Sequence, residues 1–167
     1  MRKIAITILV LIVMLTSPVY GFINQDVEGL ENFIADNLNS EYSQYAFRSI
    51  ISILRKKKDS ESEADAWRRY VNLLELTKSY TPSDYNGFAW RMAELEMNLD
   101  KALVKIRLGI KMTKKDDSSA IAGYMDTEAE VLWKMGNVDE AVKVIDECIA
   151  LQPDDKYFKD QKEKFLK

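Results

Sequence analysis

Two acidic residues, Asp126 and Glu130, have the most evident capacity for chemistry in this chain. They are four residues apart in a segment with helical periodicity, so they share one face of a helix. Paired carboxylates can act as acid and base in the cleavage of glycosidic bonds. Nothing in the pattern indicates a cleft around them, and acids on helix surfaces are routine. We therefore expect solvated or ligand-facing acids rather than catalytic ones.

The composition excludes most other kinds of catalytic and metal-binding site. The 167-residue chain has no histidine, which excludes Ser-His-Asp triads, Cys-His pairs and histidine-bound zinc. Its one cysteine, Cys148, cannot form an intramolecular disulfide, and we expect an inert thiol in the core. Asp116-Asp117 and Asp154-Asp155 stand at helix starts and lack the glycine and ligand number of a calcium loop. We predict no enzymatic activity, no cofactor and no metal.

Composition and charge favour a folded, acidic protein. Hydrophobic residues make up 47% and charged residues 31% of the chain, and the net charge is -3. A nucleic-acid partner requires a basic footprint, so we expect none. One basic cluster, Arg55-Lys56-Lys57-Lys58, is expected to be the solvated C-terminal end of a helix.

The N-terminus has the order of a secretory signal peptide. Met1-Arg2-Lys3 precedes an apolar run from Ile4 to Leu15, and small residues follow. We expect residues 1–21 to be removed before Phe22, because the run is too short to span a membrane. The mature chain is then exported, and the periplasm is the expected location. Secretion and an uncleaved N-terminal anchor are the alternatives, and membrane contact is expected only through this segment if it is uncleaved.

Apolar periodicity and capping signals predict helices nearly throughout the mature chain. Ser60 with Glu63 has the spacing of a capping box, and Thr81-Pro82 marks another helix start. Residues 22–81 are interpreted as a degenerate N-terminal helical region, and residues 82–167 as two helix pairs with a final capping helix. The expected helices span residues 26–38, 41–57, 61–78, 82–97, 99–113, 118–135, 138–151 and 155–166. Asp154 is expected to cap the last of them.

The two helix pairs repeat each other with an offset of 39 residues, which places Ala102 over Ala141. In the second copy, Ala129, Gly136, Ala141 and Pro153 occupy the small, turn, contact and closing positions of a repeat. The chain here resembles the tetratricopeptide repeat family over about residues 82–155. The resemblance implies an all-α fold, a short right-handed superhelical stack of antiparallel helix pairs with about seven or eight helices. Repeats span about residues 82–115 and 118–153.

Glu128 departs from that family's pattern, because a large apolar residue usually packs at this position. A buried carboxylate without a partner is costly. We expect partial exposure of Glu128, and pairing with a lysine or arginine is the alternative.

The resemblance also implies a concave groove lined by the first helix of each repeat. The lining of this groove lacks most of the cationic set that binds acidic peptide C-termini in this family, so we expect a neutral or basic protein or peptide segment as partner. The residues that this register places in the groove are Asn86, Trp90, Glu94, Asp126, Glu130, Trp133 and Lys134.

Two functions remain open at this point. The first is an exported scaffold or adaptor without enzymatic activity that holds a partner in its groove. The second is an accessory subunit of an envelope enzyme system, such as a thioredoxin-like one, with no activity of its own. Neither the partner nor the oligomeric state can be read from the sequence.

Overall fold

The protein is all-α in the computed structural model, which describes residues 26–38 and 40–167. No strand occurs within these ranges. The predicted helices are confirmed, with each end within two residues of its expected position. The expectations for residues 1–21 fall outside the described ranges. Within them, no helix is both long and apolar enough to cross a membrane. The eight helices are α1 (Val27–Asp36), α2 (Glu41–Lys57), α3 (Ser60–Leu76), α4 (Pro82–Leu95), α5 (Leu99–Met112), α6 (Ser118–Lys134), α7 (Val138–Leu151) and α8 (Lys156–Phe165).

Helix starts follow local capping chemistry. Thr81 caps α4 as predicted, since its hydroxyl accepts from the backbone N–H of Asp84 at 3.2 Å in a reciprocal capping box. The expected box at Ser60 and Glu63 is wrong. Asp59 caps α3 instead, because its side chain accepts from the Ser62 N–H at 3.1 Å. The Glu63 side chain pairs with Arg55 at 3.0 Å. At the start of α8 the capping residue is Asp155, one position after the expected Asp154.

The chain divides into two compact units, one ending at Ser79 and one spanning Tyr80–Lys167. In the first unit, α2 packs against both α1 and α3. Its core is built on fully buried side chains, among them Leu30, Ile50, Tyr70 and Leu74. Burial of this apolar surface is the main stabilising contribution to the unit.

The second unit consists of two antiparallel helix pairs followed by α8. Gly109 near the end of α5 lies against Pro82 at the start of α4, and a Cβ built on Gly109 would be 3.2 Å from the Pro82 carbonyl oxygen. Cys148 near the end of α7 likewise donates its S–H to the Ala122 carbonyl of α6 at 3.4 Å. Each second helix therefore runs back along the first, and small residues permit the close approach. Helix α6 also contacts α4 and α5, and α8 packs on α7.

The turns inside the two helix pairs both contain left-handed backbone conformations, but different residue types adopt them. Gly136 has φ +82° in the α6–α7 turn, where a left-handed conformation costs glycine little. The α4–α5 turn has no glycine, and Glu96 (φ 54°) and Asn98 (φ 50°) both adopt left-handed conformations. Non-glycine residues are less favourable in this region.

Glu128 is buried and paired, so the expected partial exposure is wrong and the alternative is confirmed. Its side chain is 11% exposed, and its Oε1 accepts from Arg107 Nε of α5 at 2.6 Å. The same guanidinium donates from Nη2 to Glu140 Oε1 of α7 at 2.6 Å. A cation contributed by the preceding repeat thus compensates the buried carboxylate.

Candidate functional site

The candidate groove residues lie on two neighbouring helices of the second unit. Helix α4 carries three of them and α6 carries four, and the backbones of α4 and α6 are in contact. The first helices of the two repeats are therefore adjacent, as the repeat register requires. The two helices differ in exposure, because side chains of α8 contact Asp126, Glu130 and Trp133 of α6.

Asp126 lies at the centre of a polar contact with α8. Tyr157 Oη donates to its Oδ2 at 3.0 Å, and Gln161 Nε2 donates to its Oδ1 at 3.4 Å and to Tyr157 Oη at 2.8 Å. Only 6% of Asp126 is exposed. Burial raises the pKa of Asp126 to about 6, and the hydrogen bonds from Tyr157 and Gln161 partly offset this effect. Burial and the adjacent carboxylate also raise the pKa of Tyr157, so the phenol remains the proton donor.

One and two turns further along α6, Glu130 and Trp133 contact the end of α8. Lys164 Nζ donates to Glu130 Oε2 and also lies 4.8 Å from the centroid of the Trp133 ring. Phe165 packs on the same indole, with 5.6 Å between ring centroids. The salt bridge and the aromatic contact together hold α8 against the face of α6 that the register assigned to a ligand.

The expectation of an exposed acidic face is therefore wrong for Asp126 and Glu130. Both are buried, at 6% and 8% exposure, and their partners come from the same chain. The sequence contained a sign of this contact. Tyr157, Gln161 and Lys164 recur at spacings of four and three, which places three hydrogen-bonding side chains on one face of the last helix.

The α4 part of the candidate groove is less covered. Trp90 is partly exposed, and Glu94 is exposed while pairing with Arg91 at 2.9 Å. Asn86 is partly buried, and its Oδ1 is a buried acceptor without a hydrogen-bond donor among the described residues. Lys134 of α6 reaches across to Glu96 at 2.7 Å. This region combines an aromatic ring, a buried amide acceptor without a donor and one exposed acid.

Cys148 has the environment of a structural thiol. Its side chain is fully buried, and burial raises its pKa to about 12. The nucleophilic thiolate is consequently scarce at neutral pH. Across residues 26–38 and 40–167, no group of three or more cysteine and carboxylate side chains has the arrangement of a metal site.

The N-terminal unit contains a cleft that the sequence did not indicate. It has a volume of about 370 Å³ and lies between α1 and α3, with Ile34, Leu38, Phe47 and Leu76 among its apolar walls. At its rim, Arg69 donates to both carboxylate oxygens of Glu31 and lies 5.2 Å from the Phe47 ring centroid. The polar groups at the rim thus neutralise each other.

Comparisons with protein-family models, with curated proteins and with solved structures found no match for this chain. Functional inference consequently depends on the residues and their geometry.

Proposed function

We propose that this protein is an exported adaptor without enzymatic activity, in which residues 80–167 form a tetratricopeptide-like module that holds a segment of a partner protein. The contact between α4 and α6 supports the module, because it places the first helices of the two repeats side by side. Small residues at Ala89, Ala102, Ala129 and Ala141, all fully buried, support the repeat assignment.

The observation that carries the binding proposal is the buried Asn86 Oδ1 without a donor, close in sequence to the partly exposed Trp90. A buried acceptor without a partner is costly, and rotation of the Asn86 amide toward a bound segment would let a backbone N–H of that segment satisfy it. An adjacent indole supplies apolar contact area of the kind that dominates binding energy in interfaces.

The chemistry of the bound segment follows from the remaining charges. Asp126 and Glu130 are neutralised or covered by α8, which leaves Glu94 as the exposed acid of the candidate groove. We infer a neutral segment, or a weakly basic one, in an extended or helical conformation. The range of possible partners is narrower than the one expected from the sequence, because α8 covers two of the three acidic side chains in the candidate groove.

Photo-crosslinking tests the proposal directly. p-Benzoylphenylalanine in place of Trp90 is expected to capture a discrete partner in the native host, and the same group in place of Lys143 on α7 is the control. Glu94→Lys should weaken capture at position 90, while Glu147→Lys on α7 should leave it unchanged. Equal capture from both positions, or equal loss in both charge variants, would overturn the groove assignment.

A further inference from the structure

The outer face of α5 carries an apolar stripe that no described element covers. Val104, Leu108 and Met112 are exposed by 57%, 41% and 42%. They recur every four residues, so they form one line of about 12 Å along the helix. The opposite face of α5 is packed through Ala102 and Ile106, which are fully buried. The stripe therefore contributes nothing to the core of the unit.

Lysines surround this stripe. From Lys101 to Lys115 the sequence contains six basic residues and no acidic one, although the whole chain has a net charge of -3. Arg107 is committed to Glu128 and Glu140, and Lys105 Nζ lies 5.6 Å from the Tyr85 ring centroid. Four lysines form no ion pair within the described part of the chain, namely Lys101, Lys111, Lys114 and Lys115.

Helical spacing places both kinds of residue on one surface. Lys101, Val104, Lys105, Leu108, Lys111 and Met112 follow one another at intervals of three, one, three, three and one, which is the pattern of a single helix face. Lys114 and Lys115 come directly after α5, in the connection to α6. An apolar line flanked by flexible cations is the surface chemistry of a helix that lies in a lipid interface.

We propose that the outer face of α5 docks on an anionic lipid bilayer. Val104, Leu108 and Met112 would enter the boundary between headgroups and acyl chains, and the four unpaired lysines would contact lipid phosphates. Lysine suits this arrangement, because its aliphatic stem lies along apolar surface while the ammonium stays among the headgroups. The inference is independent of the groove proposal, and it adds a membrane contact outside the N-terminal segment.

A second copy of this chain and an acidic protein helix are the two alternative partners for this face, and charge and composition argue against both. A second copy that used the same stripe would bring two sets of lysines together, and like charges across an interface are unfavourable. An acidic protein helix would satisfy the charge, but lysine is depleted in protein–protein interfaces, where arginine and aromatic residues are enriched. The unpaired cations of this face are all lysines, which favours a diffuse anionic surface.

A single fluorescent label tests contact between the stripe and lipid. Leu108→Cys in the full chain accepts a polarity-sensitive dye, while the native Cys148 is buried and unreactive. The matched control is Leu151→Cys on α7, because Leu151 is 42% exposed and Leu108 is 41% exposed. The dye at position 108 should shift to the blue on vesicles that contain phosphatidylglycerol and not on pure phosphatidylcholine, and the dye at 151 should shift on neither.

Charge removal supplies the second measurement. Lys101→Gln/Lys111→Gln/Lys114→Gln should weaken binding to the anionic vesicles by about a hundredfold, since each lysine near such a surface contributes about fivefold. Lys143→Gln/Lys159→Gln/Lys167→Gln removes the same charge elsewhere and should have a much smaller effect. The N-terminal segment is identical in all variants, so any binding of its own cancels in the comparison.

Three results would overturn the proposal. The first is an equal loss of vesicle binding in the two triple variants. The second is a dye at position 108 that does not respond to anionic vesicles. The third is a response at position 108 to a glutamate-rich helical peptide and not to vesicles, which would assign the face to an acidic protein.

Discussion

Arg107 Nε donates to Glu128 Oε1 at 2.6 Å, and this ion pair joins the second helix of one repeat to the first helix of the next. Glu128 is almost fully buried, with its side chain 11% exposed, while the Arg107 side chain is 46% exposed. The hydrogen bond that Arg107 donates to Glu128 raises the pKa of Arg107 above its ordinary value, so the guanidinium is always charged. The buried carboxylate consequently depends on one cation for its compensation.

Removal of that cation should destabilise the protein far more than removal of both charges. We expect Arg107→Met to lower the free energy of unfolding by about 2 kcal/mol, because Glu128 would remain buried without its ionic partner. Arg107→Met/Glu128→Leu should recover most of the loss, since an apolar side chain suits this packing position. Urea unfolding followed by circular dichroism measures both variants.

The exposed pair of Lys156 and Asp160 provides the control for that experiment. Lys156 is 82% exposed, so Lys156→Met should leave the free energy of unfolding almost unchanged. A double variant no more stable than Arg107→Met alone would contradict the interpretation, because it would show that packing around residue 107 matters rather than its charge.

Asp126 should make stability fall with rising pH in the weakly acidic range. Its pKa in the folded protein is about 6, above the ordinary value of 3.8, so the folded state retains a proton that the unfolded chain has released. The associated stability is fully present below the ordinary pKa and is lost as pH rises through about 6. The size of the shift corresponds to a loss of about 3 kcal/mol.

The difference between the wild-type chain and Asp126→Asn isolates this contribution. Asparagine keeps an acceptor for Tyr157 and cannot ionise, so the free energy of unfolding of the variant should rise relative to that of the wild type by about 2 kcal/mol between about pH 4 and about pH 7. Asp139→Asn, at an exposed position on α7, is the control for the change of side chain itself. A pH-independent difference for Asp126→Asn would mean that this carboxyl is ionised at the same pH in both states.

Glycine should stabilise both helix-pair turns, so adding a glycine to one and removing the glycine from the other should shift stability in opposite directions. Asn98 adopts φ 50° without a cap hydrogen bond from its side chain, so Asn98→Gly should raise the free energy of unfolding by about 0.5 kcal/mol. Gly136→Ala places a Cβ at φ +82° and should lower it by about 1 kcal/mol. Thermal unfolding of both single variants checks the two signs, and a shift in the same direction would refute the conformational argument.

The sequence predicted the helices well because the signals for them are local. Apolar periodicity, Thr81-Pro82 and Gly136 depend on residues within one or two turns, and their helix boundaries agree with the structure to within two residues. The failures at Ser60 and Asp154 are of the same local kind. A neighbouring aspartate competed for each cap, and the choice between adjacent candidates depends on exact backbone geometry.

The burial of the candidate groove residues could not be predicted in the same way, because it depends on contacts between segments that are distant in the sequence. Asp126 and Gln161 are 35 residues apart, and Glu130 and Lys164 are 34 apart. The repeat register predicted which face of α6 carries Asp126 and Glu130, but it did not predict that α8 packs on that face. Similarly, the register identified Glu128 as unusual, and only the packing of α5 on α6 selected Arg107 as its partner.

Two helical glycines should respond to added side chains with opposite signs, because one is packed and the other is open. A Cβ at Gly109 would lie 3.2 Å from the Pro82 carbonyl oxygen and 3.4 Å from the Tyr85 Cβ, while a Cβ at Gly123 would meet nothing within 4 Å. We expect Gly109→Val to lower the free energy of unfolding by about 2 kcal/mol through overpacking between α4 and α5.

Gly123→Ala should instead raise the free energy of unfolding by about 0.5–1 kcal/mol, because alanine favours a helix interior and loses less backbone entropy on folding than glycine. Chemical denaturation of both variants gives the comparison. A stabilising Gly109→Val would show that α5 can move away from α4 without loss. The close approach of the two helices would then not be a requirement of the repeat, and the small residue at position 109 would need another explanation.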